Sequence, residues 1–533
     1  MTGAGQLIVP ALRPRDDAVV HGLPESFRPA QVDYLPNSLC WHDGGWLAST
    51  NSWGDRRLAQ ARPDGWVEVP APPGWIRRPM AEGAALSVLH HHQHADDGQV
   101  LALRDDGWQR VAGPVEESAV TDWDGRAVAV RDLAGNARAL AAGGGLVQVA
   151  DEPGGRRAIT GPGWRIPIPA GATLSHLAPS PDRDAALVVL RIGGAYQGHI
   201  FSLRDGRSLS PGSLRQVVLP TSAWLDDTRV VVVAEEWPNL VPLIWDWSRD
   251  SLARPWGPGA LGAVRSVAAG PAGTCLVALA TPLASRGVHP LDDTGPVASA
   301  GSSDQVRAVL VERAGQALPC LVYEPLTALR GTAFYFPGGP HEPIWAEYAP
   351  LARAMNELGW RVVRVNVRSS GLREAAYRPR GPLRYGRDDV ADACAVIEAL
   401  AEGPVVTMGM SYGGYLASRA GERVAACRGV AVLSGFLHHD DLAGTGHDGV
   451  RQFARFAFHN DPPVEPDRLA KRYFVAHGEL DTRIRIAAIE RHRARIDGGL
   501  TLVPLVGEGH AIHTDRAARA TYPPLLQWLS EIV

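Results

Sequence analysis

Cysteine, lysine and long apolar runs are scarce in this sequence of 533 residues, and each scarcity excludes a class of protein. The five cysteines are scattered, odd in number and form no C-x-x-C pair. We therefore expect free thiols in a reducing compartment, and neither a disulfide framework nor a zinc site built on cysteine. These cysteines are Cys40, Cys275, Cys320, Cys394 and Cys427.

The charged residues carry no signature of a nucleic-acid-binding protein. Lys471 is the only lysine among 53 basic residues, and the net charge is -4, so the chain has no strong positive field for nucleic acid or for an anionic membrane. No apolar run reaches the length of about 18 residues that a membrane helix needs, and the N-terminus lacks the apolar core of a signal peptide. The sequence thus predicts a cytoplasmic protein without a nucleic-acid or membrane partner.

The length of the chain and the pattern of its apolar and turn residues predict two domains. A chain of 533 residues is too long for one hydrophobic core. Up to about residue 300, strand-length apolar runs end at turn residues, and tryptophans recur with a loose period of about 40 residues, which favours blades of four strands. We predict an all-β propeller of six or seven blades over residues 1–300, with a β-sandwich array as the alternative. The first 20 or so residues are expected to pack on the second domain, and the stretches 180–190 and 224–233 to start successive blades.

Strands and helices alternate after a linker of small and polar residues at 295–305. A hairpin is predicted around Gly315, and helices at 347–359, 386–403, 413–424 and 522–533. Apolar strands that alternate with helices indicate a parallel sheet covered on both faces. The predicted fold of residues 301–533 is an α/β-hydrolase with a mostly parallel, doubly wound sheet.

Ser411 lies in a G-x-S-x-G motif that follows an apolar strand and precedes a helix. This is the setting of a nucleophile elbow, in which a sharp turn exposes the serine hydroxyl. Gly409, Gly413 and Gly414 give the room that the turn needs. The alternative is a structural serine in a tight strand-to-helix turn.

A nucleophilic serine needs a base and an acid, which follow in the order Ser, Asp, His in this fold. Asp481 and His510 each lie in a loop after a later strand, where the topology expects them. Two other histidines and three other aspartates are rivals, namely His477, His513, Asp440, Asp441 and Asp448.

The tetrahedral intermediate of acyl transfer needs two donors for its oxyanion. The backbone N–H of Tyr412, next after the serine, is one candidate. The loop after the first central strand supplies the other, because Gly338 and Gly339 let backbone amides turn toward the site. A plain Gly-Gly-Pro turn is the alternative.

Two histidine-rich stretches invite a metal interpretation. The tract HHHQH, which holds His90, His91, His92 and His94, fits a polar turn of the propeller better than a metal site with fixed geometry. The stretch 438–441 follows a sheet strand, and it either lines the pocket or forms a solvated loop. The sequence predicts no metal centre and no cofactor.

The second half of the chain resembles the prolyl oligopeptidase family, most closely its acylaminoacyl-peptidase branch. The matching stretches are GGP at 338–340, GWRVVRVNVRSSG at 359–371, GMSYGGYLA at 409–417, HGELDTRI at 477–484 and GEGH at 507–510. Their order and spacing agree over some 230 residues, and the family also has an N-terminal β-propeller. The resemblance implies a serine hydrolase that cuts peptide or amide bonds in small substrates, with a propeller that restricts access.

The resemblance also implies roles for individual residues. It supports Ser411, Asp481 and His510 as the catalytic triad, and the backbone amides of Tyr412 and Gly339 as the oxyanion hole.

Arg483, two residues after the proposed acid, is implied to bind a substrate carbonyl, with a structural ion pair as the alternative. Pro337 departs from the family pattern, which has His or Tyr there. Proline has no side-chain donor and no N–H, so the backbone amides have to suffice.

Three functions remain open from the sequence. The first is a peptidase or aminoacyl-amide hydrolase that works through an acyl-enzyme on short peptides. The second is an acyltransferase, cyclase or esterase of specialised metabolism that uses the same triad. The third, less favoured, is a non-catalytic binding protein in which the propeller does the work. The oligomeric state also stays open, and a homo-oligomer is compatible with the sequence.

Overall fold

The computed structural model describes residues 39–291 and 305–532, with short gaps at 43, 54, 63–64, 83–84, 92–96, 105–106, 117–119, 124–127, 131–137, 141–145, 153–155, 171, 193–194, 211–213, 215–217, 257–260, 373–376, 378, 380–381, 446, 460, 511 and 513–514. The chain divides into two compact units that change over between residues 299 and 300, with Ala346–Tyr348 grouped with the first. The predictions for the first 20 residues and for the linker fall outside the described residues. We propose the boundary between the two domains near residue 300.

The first unit is built of strands. Their bounds are β1 Leu39–His42, β2 Gly45–Trp53, β3 Asp55–Arg62, β4 Gly65–Glu68, β5 Trp75–Glu82, β6 Ala85–His91, β7 Asp97–Arg104, β8 Gly107–Glu116, β9 Val120–Trp123, β10 Val128–Val130, β11 Arg138–Leu140, β12 Leu146–Glu152, β13 Arg156–Gly161, β14 Trp164–Ile168, β15 Thr173–Pro179, β16 Ala185–Ile192, β17 Ala195–Ser202, β18 Val218–Trp224, β19 Arg229–Glu236, β20 Asn239–Asp246, β21 Ser251–Ala253, β22 Ala263–Ala269, β23 Cys275–Thr281 and β24 Ala284–Pro290.

These strands form seven successive antiparallel groups within the described residues: β1–β4, β5–β8, β9–β10, β11–β14, β15–β17, β18–β21 and β22–β24. One parallel pair, Leu240 with Ala263, joins the last two groups into one sheet. The first strands of six groups, β1, β5, β9, β15, β18 and β22, contact each other in this order, and β22 contacts β1, so they close into a ring. The remaining group, β11–β14, contacts the ring through β10 and β15. The predicted propeller is confirmed.

The stretches 180–190 and 224–233 occupy equivalent places in two successive groups, but they do not start them. Each contains the turn from the first strand of a group to the second, between β15 and β16 and between β18 and β19. Polar side chains hold both turns: Ser180 Oγ accepts the amide of Ala185 at 3.0 Å, and Asp226 Oδ1 accepts the amide of Arg229 at 2.8 Å. The feature that repeats in the two groups is therefore the turn, which short polar side chains stabilise by bonding nearby amides.

Apolar side chains fill the spaces between neighbouring groups. At the ring closure, Leu39 and Trp46 of the first group form one cluster with Ala268 and Leu276 of the last group. Leu276 is fully buried. Because the first and last groups lie far apart in sequence, this cluster stabilises the ring through non-local contacts.

The second unit has eight strands and six helices among the described residues. The strands are β25 Val306–Arg313, β26 Gln316–Tyr323, β27 Gly331–Phe336, β28 Trp360–Val365, β29 Val405–Met410, β30 Cys427–Leu433, β31 Arg472–Gly478 and β32 Leu500–Leu505. The helices are α1 Pro350–Glu357, α2 Asp388–Leu400, α3 Tyr412–Arg423, α4 Asp448–Phe458, α5 Ile486–Glu490 and α6 Asp515–Ile532.

All eight strands form one sheet in the order β25-β26-β28-β27-β29-β30-β31-β32. β25 and β26 pair antiparallel around Gly315, and the strands from β28 to β32 pair parallel. The α/β-hydrolase prediction is confirmed. Because parallel strands end at the same edge, the loops after β27, β29, β31 and β32 meet there.

All four predicted helices are present with shifted ends, and two further helices were not predicted. The predicted helix at 347–359 is shorter, and the last helix begins at Asp515 instead of residue 522. Helices α4 and α5 were not predicted. No element was predicted for the segment that holds α4, although its apolar residues fall on one face of a helix. No helix among the described residues is long and apolar enough to cross a membrane.

The ring-closing cluster generates a stability prediction. Leu276→Ala is expected to destabilise the strand-rich unit by about 2–5 kcal/mol, because it leaves a cavity between the first and last groups. Denaturant unfolding measures this loss. Leu252→Ala is the matched control, since Leu252 is 41% exposed and its truncation should cost less than about 0.5 kcal/mol. Equal losses in the two variants would contradict the closed ring.

Candidate active site

Ser411 occupies the turn between β29 and α3 with an unusual backbone conformation. Its φ is 53° and its ψ is -120°, a region that non-glycine residues rarely adopt and that costs about 1–3 kcal/mol. The Ser411 amide donates to Leu433 O at the end of β30 at 2.9 Å, and its carbonyl accepts the Gly414 amide at 3.0 Å. The neighbouring strand and the first turn of α3 thus hold the strained residue in place.

The glycines around Ser411 are needed because backbone packs on backbone. A Cβ on Gly413 would overlap the carbonyl oxygens of Phe336 and Pro337, and a Cβ on Gly409 would overlap the carbonyl of Gly413. The elbow therefore lies directly against the end of β27. This packing agrees with the need for small residues that the motif indicated.

The structure brings Ser411, His510 and Asp481 together. His510 lies after β32 and Asp481 after β31, so both are at the sheet edge where β29 ends. His510 Nε2 is 3.0 Å from Ser411 Oγ, and His510 Nδ1 is 2.8 Å from Asp481 Oδ2. Such a chain of hydrogen bonds can move a proton from the serine to the imidazole while the carboxylate fixes the tautomer.

Asp481 is a buried carboxylate that its neighbours keep ionised. Its Oδ1 accepts the amides of Arg483 and Ile484, both at 2.9 Å. Burial alone would raise the pKa of Asp481, but hydrogen bonds from His477 and His510 outweigh it and hold that pKa well below its usual range. Asp481 is therefore negative at neutral pH and stabilises a positive charge on His510.

His477, a rival for the base, lies on the other side of Asp481. It is fully buried, its Nε2 is 2.7 Å from Ile484 O and 3.2 Å from Asp481 Oδ2, and it makes no bond to Ser411. The role of His477 is to orient the carboxylate of Asp481. The sequence indicated His477 only as a rival base, because the motif does not tell which side of the acid it occupies.

The remaining rivals do not reach Ser411 in the described part of the chain. Asp441 bonds His492 Nε2 at 2.8 Å, and Asp440 lies beside His438 and His439. Asp448 begins α4, and His513 falls outside the described residues.

The loop after β27 lies against the serine. A Cβ on Gly338 would be 3.5 Å from Ser411 Cβ, and Gly339 has a φ of 115°. Tyr412 is the first residue of α3, and an amide in a first helical turn has no acceptor within the helix. Both candidate donors for an oxyanion therefore belong to segments that adjoin Ser411.

The side chain of Tyr412 is tied to a residue that the sequence did not single out. Its hydroxyl donates to Asp389 Oδ2 at 2.5 Å and accepts the Gly386 amide at 3.1 Å. Asp389 is fully buried in the first turn of α2, and burial raises its pKa to about 6 despite the hydrogen bond from Tyr412. These bonds fix the ring of Tyr412 and with it the first turn of α3. Nothing in a single sequence links residue 389 to residue 412.

An aromatic cluster surrounds Tyr412. Its ring contacts Tyr385, Phe436 and Phe453 with centroids 6.3, 6.1 and 5.7 Å away. Phe456 of α4, which is 77% exposed, contacts Tyr385. The structure therefore packs an aromatic cluster around the residue next to the serine, and two of its members, Phe453 and Phe456, come from the helix that the sequence did not predict.

Arg483 lies at the same edge with an exposed side chain. Its backbone amide supports Asp481. The side-chain role that the resemblance implies stays a prediction.

A family model matches the C-terminal part of the chain. Residues 348–533 match the model of the prolyl oligopeptidase family. No curated protein matches the sequence.

Solved structures resemble nearly the whole chain. A puromycin hydrolase is 16% identical, with a TM-score of 0.72 over 98% of this chain and 97% of its own. The acylaminoacyl peptidase of Pyrococcus horikoshii is 11% identical, with a TM-score of 0.66 over 93% and 88%. A puromycin-hydrolyzing peptidase of Mycobacterium tuberculosis is 17% identical, with a TM-score of 0.63 over 96% and 95%. At these identities the likeness shows the fold.

The buried Asp389 generates a pH prediction. A carboxyl whose pKa is raised in the folded state stabilises the fold fully below its usual pKa, and this contribution is lost as the pH rises through about 6. Asp389→Asn stays neutral, so between about pH 4 and pH 7 it should gain about 2 kcal/mol in free energy of unfolding relative to wild type. Denaturant unfolding at both pH values measures the difference.

Asp388→Asn is the matched control because the change of stability with pH has the opposite sign at this residue. Hydrogen bonds from Arg384 outweigh burial and lower the pKa of Asp388, so its ionised form stabilises the fold. Wild type should therefore gain stability relative to Asp388→Asn over the same rise in pH. The same sign in both variants would contradict the assignment of Asp389.

Proposed function

We propose that this chain, whose residues 348–533 match the prolyl oligopeptidase family, hydrolyses peptide or aminoacyl-amide bonds of small substrates through an acyl-enzyme on Ser411. The observation that carries the proposal is the continuous hydrogen-bonded chain from Ser411 through His510 to Asp481. A peptidase can use that chain for both halves of the reaction.

In the first half, His510 Nε2 takes the proton of Ser411 Oγ as the oxygen attacks the substrate carbonyl. The tetrahedral intermediate collapses, the bond to the amine breaks, and His510 gives its proton to the departing nitrogen. In the second half, His510 takes a proton from water as the water oxygen attacks the acyl carbonyl. The ester bond to Ser411 Oγ then breaks, His510 returns its proton to that oxygen, and the acid leaves. Asp481 stays ionised throughout and stabilises the imidazolium.

The oxyanion is proposed to accept hydrogen bonds from the backbone amides of Tyr412 and Gly339. The contact of Gly338 with Ser411 supports this, since it holds the loop after β27 beside the nucleophile. Pro337 offers neither a side-chain donor nor an N–H, so the two amides carry the oxyanion without further help. The hydrogen bond from Tyr412 to Asp389 positions the first of them.

The acyl side of the substrate is proposed to carry an aromatic or large apolar side chain. The support is the aromatic cluster of Tyr385, Phe436 and Phe453 around Tyr412, the residue next to the serine, with the exposed ring of Phe456 at its edge. Puromycin, an amide of an aromatic amino acid and the compound named for two similar structures, is a fitting test substrate. Arg483 is proposed to bind a carbonyl of the substrate. The resemblance to the family supports a propeller that limits substrates to small ones.

Removing the hydroxyl of Ser411 tests the nucleophile. Ser411→Ala should lower kcat for an aminoacyl-amide by about 10⁴-fold or more, because the acyl-enzyme no longer forms. The melting temperature should stay near that of wild type. Ser530→Ala is the control, since Ser530 is exposed and bonds only within α6. Full residual turnover in Ser411→Ala would show that the nucleophile is another residue.

Truncating one aromatic side chain tests the substrate class. Phe453→Ala should lower the ratio of kcat/KM for a phenylalanyl amide over an alanyl amide by about tenfold, because it removes part of the apolar surface. The ratio is insensitive to a loss of folded protein. Val464→Ala, at a residue 84% exposed, should leave the ratio unchanged. An unchanged ratio in Phe453→Ala would contradict the proposed acyl pocket.

A further inference from the structure

His438, His439 and Asp440, here called the HHD cluster, follow β30 at the start of the short 3₁₀ helix His439–Gly444. The two imidazoles are stacked, with centroids 4.5 Å apart. The proposed mechanism uses none of these residues. One ligand atom of each residue lies within 4.8 Å of those of the other two.

A single buried carboxylate, Glu465, lies next to one nitrogen of each imidazole ring. Its Oε1 accepts the Nδ1–H of His439 at 2.8 Å, and its Oε2 lies 3.5 Å from His438 Nε2. Glu465 Oε1 also accepts the hydroxyl of Tyr415 at 3.1 Å. With a proton on His439 Nδ1, the other nitrogen of that ring, Nε2, carries a lone pair.

Two features of Glu465 point to a function beyond packing. Its side chain is 2% exposed, and its Oε2 has no hydrogen-bond partner among the described residues. The buried guanidinium of Arg419, 3.6 Å away, balances its charge. Glu465 is thus a buried carboxylate that orients the two rings.

The other nitrogen of each ring faces the carboxylate of Asp440. His439 Nε2 is 3.4 Å from Asp440 Oδ1, and His438 Nδ1 is 3.5 Å from Asp440 Oδ2. His438 Nδ1 accepts the Asp440 amide at 3.2 Å, so this nitrogen carries its lone pair on the side of Asp440. A bound ion would take the place of this long hydrogen bond.

We propose that the HHD cluster binds a divalent transition-metal ion of the Zn²⁺ type through His438 Nδ1, His439 Nε2 and the Asp440 carboxylate. Metal-ligand bonds of about 2.0–2.1 Å in a tetrahedral site separate neighbouring ligand atoms by about 3.4 Å, and the two imidazole nitrogens lie 3.4 and 3.5 Å from oxygens of Asp440. Glu465 supplies the outer carboxylate that metal-bound histidines commonly have. Nitrogen and carboxylate donors suit Zn²⁺ and Co²⁺.

The surroundings fit an open metal site whose ligands together carry one negative charge. Asp440 contributes a single negative charge, since Glu465 is paired with Arg419. The Asp440 side chain is 76% exposed, so water has access to a fourth position. Such an ion would clamp the start of the segment that joins β30 to α4. The proposal does not depend on the proposed peptidase function.

Co²⁺ titration of the full chain tests the site, because tetrahedral Co²⁺ has intense visible d–d bands. Three histidines outside the HHD cluster that would compete for Co²⁺ are first replaced by alanine, namely His92, His94 and His510. This metal-stripped background protein should bind one equivalent of Co²⁺ with such bands, and Zn²⁺ should displace it. Asp440→Asn should weaken binding by at least tenfold, and its exposed position keeps the fold intact.

Two further variants separate the cluster from incidental surface binding. Glu465→Gln should weaken binding about 10- to 100-fold through the orientation of the rings. His459→Ala, at an exposed histidine just after α4, should leave binding unchanged. The proposal is overturned if the background protein shows no visible bands at millimolar Co²⁺, or if Asp440→Asn binds Co²⁺ as tightly as the background protein does.

Discussion

The strained turn at Ser411 is the constraint on which the proposed site depends. A φ of 53° at a non-glycine residue persists only where the surroundings hold it, and here β27, β30 and α3 do so. The same turn exposes the hydroxyl, places the Tyr412 amide at the start of a helix, and requires glycine at 409 and 413. The sheet order then brings the loops after β31 and β32 to the same edge.

Buried carboxylates organise the polar parts of the second unit, each through a different balance of forces. Hydrogen bonds outweigh burial at Asp481, so this carboxylate stays ionised beside His510. Burial outweighs hydrogen bonds at Asp389, so its pKa rises and its carboxyl positions Tyr412. Glu465 is compensated by Arg419 and orients two imidazoles. The same chemical group, a buried carboxylate, thus has three roles, set by its partners and not by burial alone.

Local patterns in the sequence predicted what depends on local physics. Strand-length apolar runs and turn residues indicated the propeller, and the G-x-S-x-G motif indicated the turn at Ser411. The topology then suggested which loops hold Asp481 and His510. Features that depend on distant contacts were not accessible: the bond from Tyr412 to Asp389, the side of Asp481 that His477 occupies, and the contact of Glu465 with His438. Helix α4 was missed although its apolar face was visible in the sequence.

The central claim is that the strained turn makes Ser411 the nucleophile of a hydrogen-bonded chain with His510 and Asp481. Labelling of the folded protein with a fluorophosphonate, followed by mass mapping of the peptides, tests it most directly. The account predicts one adduct per chain, on Ser411, and a labelling rate that falls when His510 is replaced by alanine. An intact, folded protein that is never labelled, or that is labelled on another residue, would contradict it.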